Sequence, residues 1–380
     1  MGKASGFNLR VAFLTIRFGR LAGLAVLALG LALGLIAVAW IGVAEVEASR
    51  LTGGATGEIA EREALKQSVR DLFEHGDYAA LEHLAGYFRD SGVRTPGGAW
   101  RLTVLYAGFH DIASSIGPND AVGWRQFSAK LADWQGQFPA KPTAHIAQAI
   151  ALKSYAWSVR PRTIVQQASA GGEQKFQAAL ANARDLLDHD KAIASADPHY
   201  YVLRADIGTA LGEAPDVVMA AVSEGRAKFP AYYALDFSGL DYFAAGDGFK
   251  PIGPDEARRI EAFASTAAAA QAGADGDERY ARLYWHAYAV FYGDDLFKRS
   301  AVNWPRMRAG MTAIVARYPD ARNLNAFAHM ACTAGDRDTT RALMAQLPER
   351  PVMTAVWQAK PVFAACRKWA GAAGATSRLQ

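Results

Sequence analysis

The pattern of apolar and polar positions divides the chain into one long apolar run and a body with helical periodicity. After residue 57, apolar residues recur at i, i+3, i+4 and i+7 between Gly, Pro and Asp breaks, which is typical of amphipathic helices. No stretch shows a clear period of two, as a half-buried strand would. We therefore expect an all-α body. The pattern predicts helices over 58–75, 77–90, 99–116, 120–137, 143–158, 173–195, 198–211, 215–228, 231–245, 255–272, 277–292, 304–317, 321–334, 336–347 and 354–370.

The breaks between these helices have a recurring form. Aromatic residues precede proline at Phe138-Pro139, Phe229-Pro230 and Tyr318-Pro319, and proline restricts the residue before it to extended backbone. Segment 197–229 reads as a helical hairpin of 33 residues, close to the 34 of a tetratricopeptide repeat. This pattern of helices and breaks predicts a tetratricopeptide-like α-solenoid, and an ordinary helical hairpin remains the alternative.

Several stretches of the body carry a resemblance to a known family. The more specific are 276–285 (GDERYARLYW) and 302–318 (VNWPRMRAGMTAIVARY), and weaker ones are 71–100, 155–157 with Arg160, 197–201 and 325–337. They resemble an uncharacterised bacterial family whose helical fold is similar to tetratricopeptide repeats. The resemblance implies a fold and no activity.

The apolar run indicates a membrane anchor. The 24 residues from Leu21 to Ala44 carry no charge, and as a helix they would span about 36 Å, more than the roughly 30 Å of a hydrocarbon core. Four cations and no acid precede the run, so the positive-inside rule keeps the N-terminus in the cytoplasm. We expect a cytoplasmic tail (1–20), an anchor (21–44), a linker (45–57) and a periplasmic body (58–380) at the bacterial inner membrane. A signal peptide cleaved before Ser49 is the alternative.

The charge distribution argues against a nucleic-acid partner. The chain has 41 Lys+Arg and 37 Asp+Glu, and the four cations of the tail account for the whole excess. The remainder is neutral, so the body has no basic surface for a phosphate backbone. The lipid bilayer is the partner that the tail and the apolar run indicate.

The two cysteines predict a disulfide. Cys332 and Cys366 lie 34 positions apart, one near the end of a predicted helix and the other in the last helix. An extracytoplasmic body permits a bridge between them, and two buried free thiols are the alternative.

The sequence contains none of the short motifs that nominate an active site. There is no His-Glu-x-x-His, no nucleophile elbow and no phosphate-binding loop. His75 and His83 flank one predicted turn, where surface polar residues explain them better than a metal does. We therefore expect no metal and no cofactor. Glu278 and Asp294 bracket one predicted helix, and as ends of that helix they would lie about 24 Å apart, too far to cooperate directly.

Two features are candidate binding elements. Aromatic residues recur along one predicted helix at Tyr280, Tyr284, Trp285, Tyr288 and Tyr292, and buried tyrosines need hydroxyl partners, so the cluster suggests a partly wet groove for a protein or a glycan. Core packing is the alternative. The second feature is the long connection 159–172, in which Arg160 and Arg162 would clamp an anionic group of a partner, with a solvated loop as the alternative.

These observations support two functional hypotheses. The first is a membrane-anchored helical repeat protein that acts as a protein-binding scaffold or adaptor and is not an enzyme. The alternative is a hydrolase of an envelope polymer, with a carboxylate such as Glu278 or Asp294 in the helical groove. A pocket that holds a carboxylate with a raised pKa would favour the hydrolase.

Overall fold

The computed structural model describes residues 57–160, 171–244, 252–271, 273–348 and 351–371. Within these ranges the regular elements are helices and no strand forms, so the all-α prediction is confirmed there. The predicted tail (1–20), the anchor (21–44) and nearly all of the linker (45–57) lie outside the described residues. Of the helices that are described, none combines the length and the apolar character needed to cross a bilayer.

The helices of the first half begin and end close to the predicted positions. They are α1 (Glu58–His75), α2 (Tyr78–Ser91), α3 (Arg101–Ser114), α4 (Ala121–Gln137), α5 (Pro142–Val159), α6 (Gly172–His189), the short α7 (Lys191–Ala194), α8 (Pro198–Leu211) and α9 (Pro215–Lys228). The predicted helix 173–195 is thus interrupted at Asp190. Asp77, Asp120 and Asp197 accept hydrogen bonds from backbone N–H groups at the starts of α2, α4 and α8, which satisfies donors that a helix start leaves unpaired.

The second half contains longer helices separated by short ones. They are α10 (Ala234–Ala244), α11 (Pro254–Ala269), α12 (Gly273–Ala287), α13 (Leu296–Arg299), α14 (Trp304–Arg317), α15 (Ala321–Thr333), α16 (Arg337–Met344), α17 (Thr354–Trp357) and α18 (Lys360–Gly371). The predicted helix 277–292 stops being α-helical at Ala287, and Tyr288–Tyr292 forms a π turn. Gly293 closes this turn at φ +52°, a conformation that glycine adopts without strain.

Each aromatic–proline pair ends a helix in the same way. The N–H groups of Phe138, Phe229 and Tyr318 still donate to the carbonyl four residues earlier, but their φ angles of −129°, −132° and −130° have left the helical region. The proline that follows enforces this change. A dipeptide visible in the sequence therefore sets the C-terminal ends of α4, α9 and α14.

Most helices pack against their near neighbours in the chain, but the start of the body also contacts its distant end. Glu58 N donates to Asp320 Oδ2 at 2.9 Å, and Asn323 Nδ2 donates to the Gly97 carbonyl at 3.2 Å. The Tyr233 hydroxyl donates to the Gly98 carbonyl at 2.9 Å. A solenoid in which each repeat touches only the adjacent ones lacks such contacts.

Helices α12 and α14 approach each other closely. A Cβ placed on Gly310 of α14 would lie 1.9 Å from the Asp277 carbonyl oxygen and 2.7 Å from the Ala281 side chain. Only glycine fits there, and Ala281 is the small residue opposite it. The tyrosines of α12 are packed into the core beside this contact.

Candidate functional site

A cavity of about 960 Å³ lies between α3, α5, α6, α8 and α10 and opens to solvent. Its walls are mostly apolar, and its polar groups converge from different helices. The lining residues are Thr103, Tyr106, Ala107 and His110 of α3; Ile150, Lys153, Ser154 and Trp157 of α5, followed by Arg160; Phe176 and Gln177 of α6; His199, Val202, Leu203, Asp206, Thr209, Ala210 and Leu211 of α8, followed by Gly212; and Asp241 of α10.

Helical periodicity accounts for the lining of the cavity. On α3 the cavity residues 103, 106, 107 and 110 follow the spacing i, i+3, i+4 and i+7, and residues 150, 153, 154 and 157 repeat it on α5. This spacing places side chains on one face of a helix. Each helix thus presents one face to the same space.

An ion pair between two helices lies in the cavity. Lys153 Nζ of α5 donates to Asp206 Oδ2 of α8, and each side chain keeps a quarter of its surface exposed. The pair is therefore open to the cavity and not sealed in the core. Its members remain accessible to the charged or polar groups of a ligand.

A second carboxylate, Asp241, faces the cavity from α10. Its Oδ1 accepts a hydrogen bond from His286 Nε2 at 2.6 Å, and 38% of its side chain stays exposed. Burial raises the pKa of Asp241 above its ordinary value, and the charge of Asp206 raises it further, whereas His286 and Lys153 act in the opposite direction. Asp206 and Asp241 therefore place two carboxylates on the walls of the same cavity.

Two neutral histidines contribute to the walls. His199 stacks on Tyr106 with ring centroids 4.5 Å apart, and its Nδ1 lies 3.1 Å from the Tyr232 hydroxyl. Burial lowers the pKa of His199 to about 3, so its imidazole is uncharged at neutral pH. His110 Nδ1 lies 3.1 Å from Ser154 Oγ, and partial burial and the charge of Lys153 lower the pKa of His110 as well.

A buried network behind the cavity holds the Tyr106–His199 stack. The Tyr106 hydroxyl donates to Asp197 Oδ2 at 2.7 Å, and Arg89 Nη1 donates to the same oxygen at 2.8 Å. Asp197 Oδ1 accepts the His199 N–H at 2.8 Å, which caps α8. Burial raises the pKa of Asp197, and Arg89 opposes that effect. This network positions the His199 ring.

Aromatic residues form the rim of the cavity. The Arg160 guanidinium lies over the rings of Trp157 and Phe176, at 4.7 Å and 4.9 Å from the ring centroids. Trp157 is 38% exposed. Arg160, predicted as an anion clamp, thus lines the cavity, whereas Arg162 lies outside the described residues.

The aromatic cluster of α12 and the π turn after it, predicted as a partly wet groove, is packed into the core. Tyr280 and Tyr284 are fully buried, and both hydroxyls donate to Glu261 Oε2 of α11. Tyr288 and Tyr292 are buried as well, and Trp285 is partly buried with the Arg322 guanidinium 4.8 Å from its ring centroid. For Tyr280 and Tyr284, Glu261 and not water is therefore the hydrogen-bond partner of the hydroxyl group.

The carboxylates nominated for hydrolysis do not line the cavity. Glu278 is buried, where its Oε1 accepts from Arg282 Nε at 2.9 Å and its Oε2 lies 3.1 Å from Arg317 Nη1. Asp294 accepts from the Tyr288 hydroxyl at 2.9 Å and lies 3.7 Å from His329 Nε2. Arginines hold Glu278 in ion pairs, whereas the hydrogen bond from Tyr288 places Asp294 beside the aromatic cluster.

The remaining nominated residues have defined positions. Cys332 of α15 and Cys366 of α18 are joined by a disulfide, with Cα atoms 5.9 Å apart. In the described part of the chain, no three His, Cys, Asp or Glu side chains are grouped as metal ligands would be. A second, smaller cavity of about 510 Å³ lies between α4, α5 and α6, and none of its lining residues is a carboxylate.

Sequence reasoning did not single out Lys153, His199, Asp206 or Asp241. Each is an isolated polar residue on a predicted helix face, and the four belong to three helices that meet only after folding. Comparisons of the chain with protein-family models, with curated proteins and with solved structures found no match.

Proposed function

We propose that this protein is a binding scaffold that takes an extended segment of a partner protein into the cavity between α3, α5, α6, α8 and α10. The observation that carries the proposal is the cavity itself. Its 960 Å³ is at the upper end of the range for ligand sites, and its apolar walls with few convergent polar groups are typical of recognition sites. Helices α3, α5, α6, α8 and α10 contribute one face each, which is compatible with the tetratricopeptide-like stacking that the repeat pattern predicts.

The proposal includes the predicted location. An uncleaved anchor at 21–44 would hold the body on the periplasmic side of the bacterial inner membrane. The Cys332–Cys366 disulfide supports this side, because structural disulfides are rare in the cytoplasm. A reporter that is active only outside the cytoplasm, fused after residue 380, tests it. An inactive reporter on a well-expressed fusion contradicts the location.

Site-specific photocrosslinking in living cells tests the scaffold. We expect a photoreactive phenylalanine analogue at Trp157, on the cavity rim, to yield one dominant adduct with a partner protein. The same analogue at Trp369 is the matched control, because Trp369 is 36% exposed but lies on α18.

Narrowing the cavity with Ala107→Phe should weaken the Trp157 adduct without unfolding the protein. Equal adducts from Trp157 and Trp369, or a Trp157 adduct that Ala107→Phe leaves unchanged, would contradict a cavity-based scaffold.

One observation supports the hydrolase as a second candidate. Asp206 and Asp241 face the same cavity, and burial raises the pKa of Asp241, as a general acid requires. If peptidoglycan or a related envelope polymer is the substrate, purified protein should cleave it, and Asp241→Asn should abolish cleavage with the fold intact. Absence of turnover in the wild type removes this candidate.

A further inference from the structure

The charges around the cavity specify which group of a ligand it would accept. Of its lining residues, Lys153 and Arg160 are cationic, Asp206 and Asp241 are acidic, and His110 and His199 are imidazoles that burial disfavours as cations. Lys153 is already paired with Asp206. Arg160 follows the end of α5 and belongs to the rim, with its guanidinium over the Trp157 ring. Among the described lining residues, Asp206 is thus paired with a lysine, whereas Asp241 accepts a hydrogen bond from a histidine, His286.

The two carboxylates have unused capacity for hydrogen bonds. A carboxylate offers about four acceptor positions, whereas the contacts of Asp241 among the described residues are the one from His286 to Oδ1. Asp206 receives Lys153 through Oδ2. A cation that enters the cavity would find two carboxylates on its walls, and each has acceptor positions left for it.

We infer that the inner cavity recognises a basic side chain, the ammonium of a lysine or the guanidinium of an arginine, carried by an extended peptide segment. The inference rests on the proposed function and names the chemistry of its ligand. Asp241 accepts hydrogen bonds from the basic group, and Asp206 shares its charge. The stacked Tyr106 and His199 rings and the apolar walls cover its alkyl stem.

Lys153 provides a test of this inference, because its ammonium would compete with a cationic ligand group for Asp206. Its ammonium already occupies one side of the acidic pair. If the ligand group is cationic, Lys153→Met frees Asp206 and strengthens binding, whereas Asp241→Asn weakens binding. If the ligand group is anionic, both effects have the opposite sign. Two substitutions therefore determine the sign of the ligand charge.

The experiment uses three capped pentapeptides, acetyl-Leu-Ala-X-Ala-Leu-amide, in which X is lysine, norleucine or glutamate. Norleucine keeps the alkyl stem of lysine and lacks the ammonium. Binding to the purified protein is followed by isothermal titration up to millimolar peptide. We expect the lysine peptide to bind at least about tenfold more tightly than the norleucine peptide, the ratio that a hydrogen bond to a charged group typically supplies. Asp241→Asn should remove that preference.

Thermal unfolding of Asp241→Asn and Lys153→Met, followed by circular dichroism, separates loss of binding from loss of fold. Equal affinity for the lysine and norleucine peptides, preference for the glutamate peptide, or no binding by any of the three overturns the inference. A Trp157 adduct that forms in cells despite such a result would leave the scaffold standing and refute only the basic ligand. Absence of both would refute the scaffold as well.

Discussion

Two regions of the molecule place polar aromatic residues on the inner faces of helices, and only one of them leaves space. On α12, Tyr280 and Tyr284 point into the core with ring centroids 4.9 Å apart, and Glu261 accepts both hydroxyl hydrogens. On α3 and α8, Tyr106 and His199 stack at the edge of a cavity of about 960 Å³.

The difference between the two regions comes from the surfaces that oppose these residues. Gly310 and Ala281 let α14 approach α12, so the tyrosines are enclosed. In the cavity the small side chains Ala107 and Ala210 face open space instead of a neighbouring helix. Aromatic residues along a helix therefore indicate a binding site only where no neighbouring helix packs against them.

The largest expected effect concerns the enclosed tyrosines. Tyr284→Ala should lower the free energy of unfolding by about 3–5 kcal/mol, because it removes a fully buried ring and one of the two tyrosine hydroxyls that donate to Glu261. Trp157→Ala, on the open rim, should cost less than about 2 kcal/mol, since Trp157 is 38% exposed. Urea unfolding followed by circular dichroism measures both. Similar losses of unfolding free energy in the two variants would contradict the difference between the two regions.

The next effect concerns the disulfide, which lies on the enclosed side of the molecule. Cys366 belongs to the same buried cluster as the α12 tyrosines. The Cys332→Ala/Cys366→Ala double variant should lose about 3–4 kcal/mol, because the bridge closes a loop with a sequence separation of 34. Denaturant midpoints with and without reductant provide the second measurement. A midpoint that neither the substitutions nor reductant moves would contradict the prediction.

A matched pair of alanines tests packing directly. Ala281→Leu should cost about 1–3 kcal/mol, because Ala281 is fully buried against α14 and the added atoms overpack the contact. Ala107→Leu adds the same atoms to the cavity and should change the free energy of unfolding by less than about 0.5 kcal/mol. Thermal unfolding of the two variants compares them. A larger cost for Ala107→Leu would show that the cavity is closed in solution.

The last effect concerns the protonation of His199. An unfolded histidine takes up a proton near pH 6.5, whereas the folded pKa of His199 is about 3. The unfolded state thus binds the extra proton between these values, so stability is complete above pH 6.5 and falls as the pH is lowered toward 3. The slope from this group is at most about 1.4 kcal/mol per pH unit.

The His199→Phe variant keeps an aromatic ring against Tyr106 and should reduce this pH slope, as measured by urea unfolding at a series of pH values. His189→Gln is the control, because the His189 side chain is 86% exposed. An unchanged slope in His199→Phe would show that the cavity is wet enough to solvate the imidazolium.

Much of the helical framework was predictable because its signals are local. Asp197, the proline after Phe229 and the glycine at 212 set helix ends through capping and backbone preference, which act within a few residues. The end of α12 at Ala287 was not predictable in this way, because the apolar pattern continues through the π turn to Tyr292.

The cavity was less predictable because it depends on distances between helices. Periodicity places Lys153 and Asp206 on inward faces, but the same reasoning places Tyr284 inward, and sequence spacing does not tell whether an inward face meets a helix or a void. Arg160 was identified from the length of the connection after α5, which is a local signal. Asp241 had no local signal, since its partner His286 lies 45 residues away.

The contacts that join the start of the body to its distant end have a consequence for biosynthesis. Glu58 and its partner Asp320 are separated by 262 residues in the sequence, and Gly97 and its partner Asn323 by 226 residues. A chain synthesised from its N-terminus has to expose nearly the whole body before these bonds form, and contacts between distant residues slow folding. During that interval α1 and the 94–100 connection lack their final partners. We therefore expect a chaperone to bind this part of the nascent chain.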